Sequence, residues 1–238
     1  MQSALTLYFF TTGSRTPLLA LLALRRPRNF APILLAYGGL GLVAVLVRDP
    51  VVALLALSPS PLVGPALARF VAARAETVGA LLTGTVVLSF PLLLAAIPDL
   101  GPNVNVALFA FVIGTALAGS LPTLRDAVLP VIDGARYVAL VIILGGAGLA
   151  ALSLVDLRAV AVAALVLLVG TVTAAIGAIL FGGSGLAAAI GAGTRDPAVA
   201  AALAMSAGLA GAGAVPLAYA ALLALSLGVG KLLIARQA

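Results

Sequence analysis

Residues 185–207 read GLAAAIGAGTRDPAVAAALAMSA, and this stretch decides the fold. It is long and apolar enough to cross a bilayer, because a spanning helix needs roughly 20 apolar residues. Yet its middle is Gly191-Ala192-Gly193-Thr194-Arg195-Asp196-Pro197. Glycine weakens a helix, and proline removes a backbone donor and collides with the preceding turn. A break at membrane depth survives only where protein or a watery cavity satisfies the released backbone groups. The stretch reads as a broken membrane helix.

A second stretch has the same character. Residues 51–57 are apolar, Ser58-Pro59-Ser60-Pro61 interrupts them, and 62–73 resume the run with Arg69 near its end. The two broken segments are expected to hold the functional content of the chain, near 58–65 and 191–197.

The surrounding sequence has the composition of a membrane protein. Of 238 residues, 63% are hydrophobic and 8% charged, and the mean hydropathy is +1.29. A soluble domain carries about a quarter charged residues. The apolar runs are continuous and rich in Leu and Ala, so they predict helices and not the alternating strands of a membrane barrel. Spans are predicted at 2–24, 31–47, 50–72, 77–97, 104–122, 136–154, 158–181, 185–209 and 212–234. Thr11-Thr12-Gly13-Ser14-Arg15 interrupts the first, which lacks the basic start and cleavage pattern of a signal peptide and is kept as a span or a partial span.

The chain has no Cys and no His, and only seven acidic residues. Thiolate sites, His-based triads and metal clusters are thereby excluded. Intramembrane catalysis would need Ser–Lys, paired Asp or metal ligands, and Lys231 is the lone lysine, near the end of the sequence. An enzyme is not expected. The net charge of +6 does not indicate nucleic acid, because the basic residues sit singly at helix ends. They set topology instead. With Arg25, Arg26 and Arg28 cytoplasmic, alternation puts Arg69, Arg74, Arg125, Arg136, Lys231 and Arg236 on the same side, and only Arg48 and Arg158 opposite. The positive-inside rule then predicts a cell (inner or plasma) membrane protein with its N-terminus outside and C-terminus cytoplasmic.

The order span, span, broken span, span occurs twice, first over 1–103 and again within 104–238, where span five is extra. The two units run in opposite directions. Paired broken helices at matching places in inverted repeats point to a transporter binding site. The expected architecture is all-α, polytopic, with about nine spans and two crossing broken helices.

The chain also resembles the bile acid:sodium symporter family. The resemblance rests on Arg26-Pro27-Arg28, Ser58-Pro59-Ser60-Pro61, the basic stretch Arg69 to Glu76, Ser89-Phe90-Pro91, and Gly193-Thr194-Arg195-Asp196-Pro197-Ala198-Val199-Ala200. Arg195-Asp196 is also similar to the Arg-Asn of the related arsenite permeases. The resemblance implies a core domain of spans 2, 3, 4, 7, 8 and 9 and a panel of spans 1, 5 and 6. It implies a sodium-binding carboxylate at a place that is Gly191 here, and a Ser-Asn pair where Gly64-Pro65 stand. Sodium coupling is therefore doubtful, and without Cys so is arsenite.

Arg195 and Asp196 are the only charges expected near mid-membrane. Such charges face a cavity or a partner. Arg195 reads either as a fixed positive charge in place of sodium or as the holder of an anionic substrate. Asp196 reads equally as the N-cap of a helix begun by Pro197. Thr194, Gly193, Ser58, Ser60 and Pro59 complete the candidate site. The hydroxyls are read either as ligands or as caps. Half-helix N-termini near Leu62 and Pro197 would add positive dipole ends. Thr83, Thr85 and Ser89 are expected to pack helices, Tyr8, Phe9 and Phe10 to face the interface or lipid, and the Gly145–148 and Ala207–214 stretches to permit close helix contact. The expected function is secondary transport of a small organic anion, coupled to sodium, to protons or to neither. The competing expectation is a non-transporting scaffold or subunit. Partners would be the bilayer, the substrate and, in an oligomer, further copies.

Overall fold

Asp-Pro and Arg-Pro pairs start several helices here, because Pro needs no N–H at the first helical position and its φ is already helical. A computed structural model describes residues 1–16, 25–61, 64, 67, 75–209 and 211–235. The described residues are helical, with no strand among them. In chain order they form α1 Gln2–Gly13, α2 Pro27–Val47, α3 Pro50–Leu57 and α4 Ala75–Ala96. A 3-10 turn at Pro98–Leu100 leads into α5 Gly101–Ser120, followed by α6 Pro122–Ala151. Then come α7 Leu157–Leu180, α8 Gly185–Ala188 running into a π turn Ala189–Gly193, α9 Pro197–Ser206 and α10 Ala214–Ala235. Three Asp side chains cap helix starts: Asp49 accepts from the Val51 N–H at 2.8 Å, Asp156 from Ala159 at 2.7 Å and Asp196 from Ala198 at 2.9 Å.

Six of these helices are long and apolar enough to cross a bilayer: Pro27–Val47, Thr77–Ala96, Pro98–Ser120, Arg125–Leu154, Leu157–Leu180 and Ala214–Leu232. The remaining expected spans are the interrupted ones. α3 has 8 residues, a length of roughly 12 Å, less than half the hydrocarbon thickness. The eighth expected span is two half-helices with a break between them. Residues 17–24 of the first expected span and most of 62–72 of the third lie outside the described residues.

α1 ends at Gly13, inside the expected interruption at 11–15, with the Thr11 and Thr12 hydroxyls donating back to carbonyls one turn earlier. The start of the sixth helix needs correction. The sixth helix begins at Pro122, well before 136. Arg136 is thus inside a helix and buried, beside Asp133 at 3.5 Å and over the Tyr137 ring. The pairing lets a charged stretch continue the helix.

α1 packs chiefly on α5 and then on α6, and α2 packs chiefly on α7. The first contact is very close. A Cβ on Gly114 would lie 2.3 Å from the Phe10 carbonyl oxygen, and one on Gly13 would lie 2.1 Å from that of Phe111. Small residues permit this approach where lipid supplies no hydrophobic drive between helices. Of the other glycine-rich stretches, Gly213 lies against the Ala147 carbonyl, while Gly145 and Gly148 face open space. Large apolar side chains cover the outside, as with Leu149 at 94% exposure, which suits a lipid-facing surface.

Candidate functional site at the helix crossing

α3 stops at Leu57 because Pro59 and Pro61 have no backbone N–H to continue the helical ladder. The second break begins with the π turn and ends at the Asp196–Pro197 helix start. The structure brings the two breaks together. The Asp196 N–H donates to the Pro59 carbonyl at 2.8 Å. The Ser58 hydroxyl donates to the Leu55 carbonyl at 2.8 Å and lies 3.4 Å from that of Asp196. The Ser60 hydroxyl donates to the Ile190 carbonyl at 3.2 Å, and the same oxygen accepts from Thr194 Oγ1. The released groups of each break are thus satisfied in part by the other, as backbone at this depth demands partners.

Among the described residues Arg195 is the largest fully buried side chain, at 0% exposure. Its Nε donates to the Ala56 carbonyl and its Nη1 to the Thr194 carbonyl, both at 3.0 Å. Its guanidinium carbon lies 4.3 Å from the centroid of the Tyr37 ring. Its Nη2 is buried with no hydrogen-bond partner among the described residues. Asp196 holds the start of α9 through the N–H groups of Ala198 and Val199, and accepts from the Tyr8 phenol at 3.0 Å.

Of the sequence-predicted site residues, Arg195, Asp196, Thr194, Ser58, Pro59 and Ser60 share this crossing. Pro197 is the first residue of α9. Gly193 serves close approach: a Cβ on it would lie 2.6 Å from the Gly170 carbonyl oxygen. Gly64 is described and Pro65 is not. Leu62, the expected start of one half-helix, also lies outside the described residues. The positive end of α9 is engaged by Asp196 itself, so it is not open to a substrate anion.

Five residues at or beside the site were missed or misplaced in the sequence. Tyr8, expected at the interface or facing lipid, is fully buried and bonded to Asp196. Phe9 is likewise buried, against the Phe90 ring at 5.5 Å between centroids. Both fall on the face of α1 turned toward the break, where the carboxylate gives the phenol a partner. Tyr37 donates to the carbonyls of Ser58 and Thr85, at 3.2 and 3.0 Å. The Tyr219 phenol oxygen accepts from the Arg195 N–H at 2.8 Å. Thr85, expected only to pack helices, accepts from the Ser60 N–H at 3.0 Å. A signal existed for Tyr37 and Tyr219. Both fall inside predicted spans, away from the ends where aromatic belts form.

Gly191, where the resemblance would place a sodium-binding carboxylate, is packed against α4. A Cβ there would lie 3.0 Å from both the Leu81 Cβ and the Val78 Cα. A glutamate would require α4 to move. Among the described residues no group of three metal-ligating side chains occurs. A cavity of about 170 Å³ lies at one end of the bundle, lined by Asp49, Val52, Asp156, Arg158 and Val215 among others. Val52 and Val215 precede Ala56 and Tyr219 by four residues, one helical turn. No protein-family model matches the chain, and no curated protein matches it.

Proposed function

We propose that this is a membrane transporter of a small organic anion, working by alternating access without sodium, and that Arg195 holds the substrate. The observation that carries this reading is the buried Arg195 Nη2, which has no hydrogen-bond partner among the described residues, at the crossing of two broken helices. An ionisable group at this depth is costly and usually serves a pathway or a partner. Leaving one donor of a buried charged group unmade costs about 1–3 kcal/mol or more, which an anion would recover. The proposed topology is an inverted repeat, with α2, α3 and α4 in the first half corresponding to α7, the α8–α9 pair and α10 in the second. The core would hold these helices and the panel α1, α5 and α6, as in the bile acid:sodium symporter family. The cavity one turn above Ala56 and Tyr219 is the proposed entry from the non-cytoplasmic side. The packed Gly191 supports the absence of a sodium site at that position.

A second reading is a non-transporting membrane subunit on the same fold. The close packing of the crossing and the internal bonding of every site hydroxyl favour it. Reconstituted vesicles separate the two. Uptake of a radiolabelled member of a carboxylate panel, equal in sodium and choline and lost in Arg195→Ala, is expected of the transporter. No uptake of any anion by wild-type vesicles would leave the subunit reading.

A further inference from the structure

α3 runs toward the crossing and ends there. The last four carbonyls of any helix lack intrahelical partners, and the aligned dipoles present roughly half a negative charge at that end. Two of these carbonyls are engaged locally, since Leu54 and Leu55 accept from Ser58. The Ala56 carbonyl turns to Arg195 Nε instead. The half-helix formed by α8 and its π turn ends at the same place. The carbonyl of Thr194, its C-cap residue, accepts from Arg195 Nη1. The face of Tyr37, the negative side of an aromatic quadrupole, lies against the guanidinium.

Two half-helix C-termini and an aromatic face make an environment for a cation. In broken-helix membrane proteins, half-helix C-terminal ends and unwound carbonyls hold monovalent cations. Here the positive charge is covalently attached.

We infer that the Ala56 and Thr194 carbonyls with the Tyr37 face form a monovalent-cation site that the guanidinium of Arg195 fills permanently. The chain carries its own counter-cation, and removing that side chain uncovers a site for an exchangeable one. This does not rest on the transport reading, because it concerns stability and ion binding alone.

The test is thermal unfolding of purified wild-type protein, Arg195→Ala and Arg195→Gln in detergent. Each is measured in choline, sodium and potassium chloride at one ionic strength, and with a few millimolar guanidinium added to choline. Wild-type Tm is expected to be the same in every salt. Both variants should lose roughly 5–10 °C in choline and regain at least half of it with sodium, potassium or guanidinium. A wild-type protein stabilised by sodium over choline would overturn the inference, and so would variants that match wild type in choline or ignore every cation. Should neither variant fold, Arg195→Lys decides: it keeps a tethered charge and is expected to fold with a cation-independent Tm. A lysine variant that needs added cation overturns the assignment, and the wild-type arm stands in every case. Uptake enters none of these readouts, so failure here and failure of the transport reading are separable.

Discussion

The phenol of Tyr8 on α1 donates to the carboxylate of Asp196 at 3.0 Å, across 188 residues of sequence. The two Asp196 oxygens divide the work: Oδ1 accepts from the first N–H groups of α9, and Oδ2 accepts from Tyr8. One carboxylate therefore both starts a half-helix and ties α1 to the crossing. In an alternating-access cycle that moves the α1, α5 and α6 group against the rest, this bond would lie across the moving interface.

Tyr8→Phe removes the tie and little else, since the ring can stay packed. A hydrogen bond to a charged group contributes about 1.5–3 kcal/mol, so a loss in that range is expected by chemical unfolding in detergent. A change under about 0.5 kcal/mol would show that Oδ2 is satisfied without Tyr8.

Asp196 can be separated into a cap and a charge. Asn is as good an N-cap as Asp, and Ala loses about 0.5–2 kcal/mol there. Asp196→Asn is expected to keep most of the stability that Asp196→Ala loses. If Asp196 also carries a coupling proton, uptake driven by a pH gradient should fail in Asp196→Asn while the fold survives. An Asn variant as unstable as the Ala variant would contradict the capping role.

Much of this was legible in the sequence, because proline, glycine and paired charges inside apolar runs have few physical readings. The breaks at Ser58–Pro61 and Gly191–Pro197 could be placed from backbone chemistry, and the Asp196–Pro197 start follows from capping rules. What sequence could not give was which partner each break would find. Tyr8 and Asp196 are 188 residues apart, and hydropathy does not say which face of α1 looks inward. Tyr8 was expected at the interface because aromatic residues gather there, yet a buried carboxylate outweighs that preference. The length of α6 was missed for a related reason. Hydropathy marks the apolar part of a helix and not its end, so the span predicted from 136 left out the more polar first turns from Pro122 that hold Asp126 and Asp133.

Glycines offer a contrast that packing alone decides. A Cβ on Gly170 would stand 2.1 Å from the Gly193 carbonyl oxygen, a backbone atom that cannot turn aside. Gly170→Ala should push α7 off the second break and cost about 2–4 kcal/mol, as overpacking does in its more severe cases. Gly145 on α6 has nothing within 4 Å of the same position. Gly145→Ala should be neutral or slightly stabilising, since Ala is the better helix former. Equal effects at the two sites, by unfolding in detergent, would refute the close approach of α7 to the crossing.

The absence of native Cys makes single-cysteine labelling a clean test of topology. Asp49 and Asp156 line one cavity with Arg158, so the α2–α3 and α6–α7 turns share one end of the bundle. At the other end, a Cβ on Gly183 would lie 3.3 Å from the Arg28 carbonyl oxygen, which joins the start of α2 to the turn after α7. Arg48 and Arg158 are exposed at the first end, and Arg28 and Phe181 at the second. A membrane-impermeant maleimide added to intact cells should label Arg48→Cys and Arg158→Cys and spare Arg28→Cys and Phe181→Cys until the membrane is opened. The positive-inside rule predicts that direction, because the basic cluster at Arg25, Arg26 and Arg28 would lie inside. Labelling of Arg28→Cys with Phe181→Cys protected would break the shared end, whereas the complete reverse pattern would keep the fold and invert its orientation.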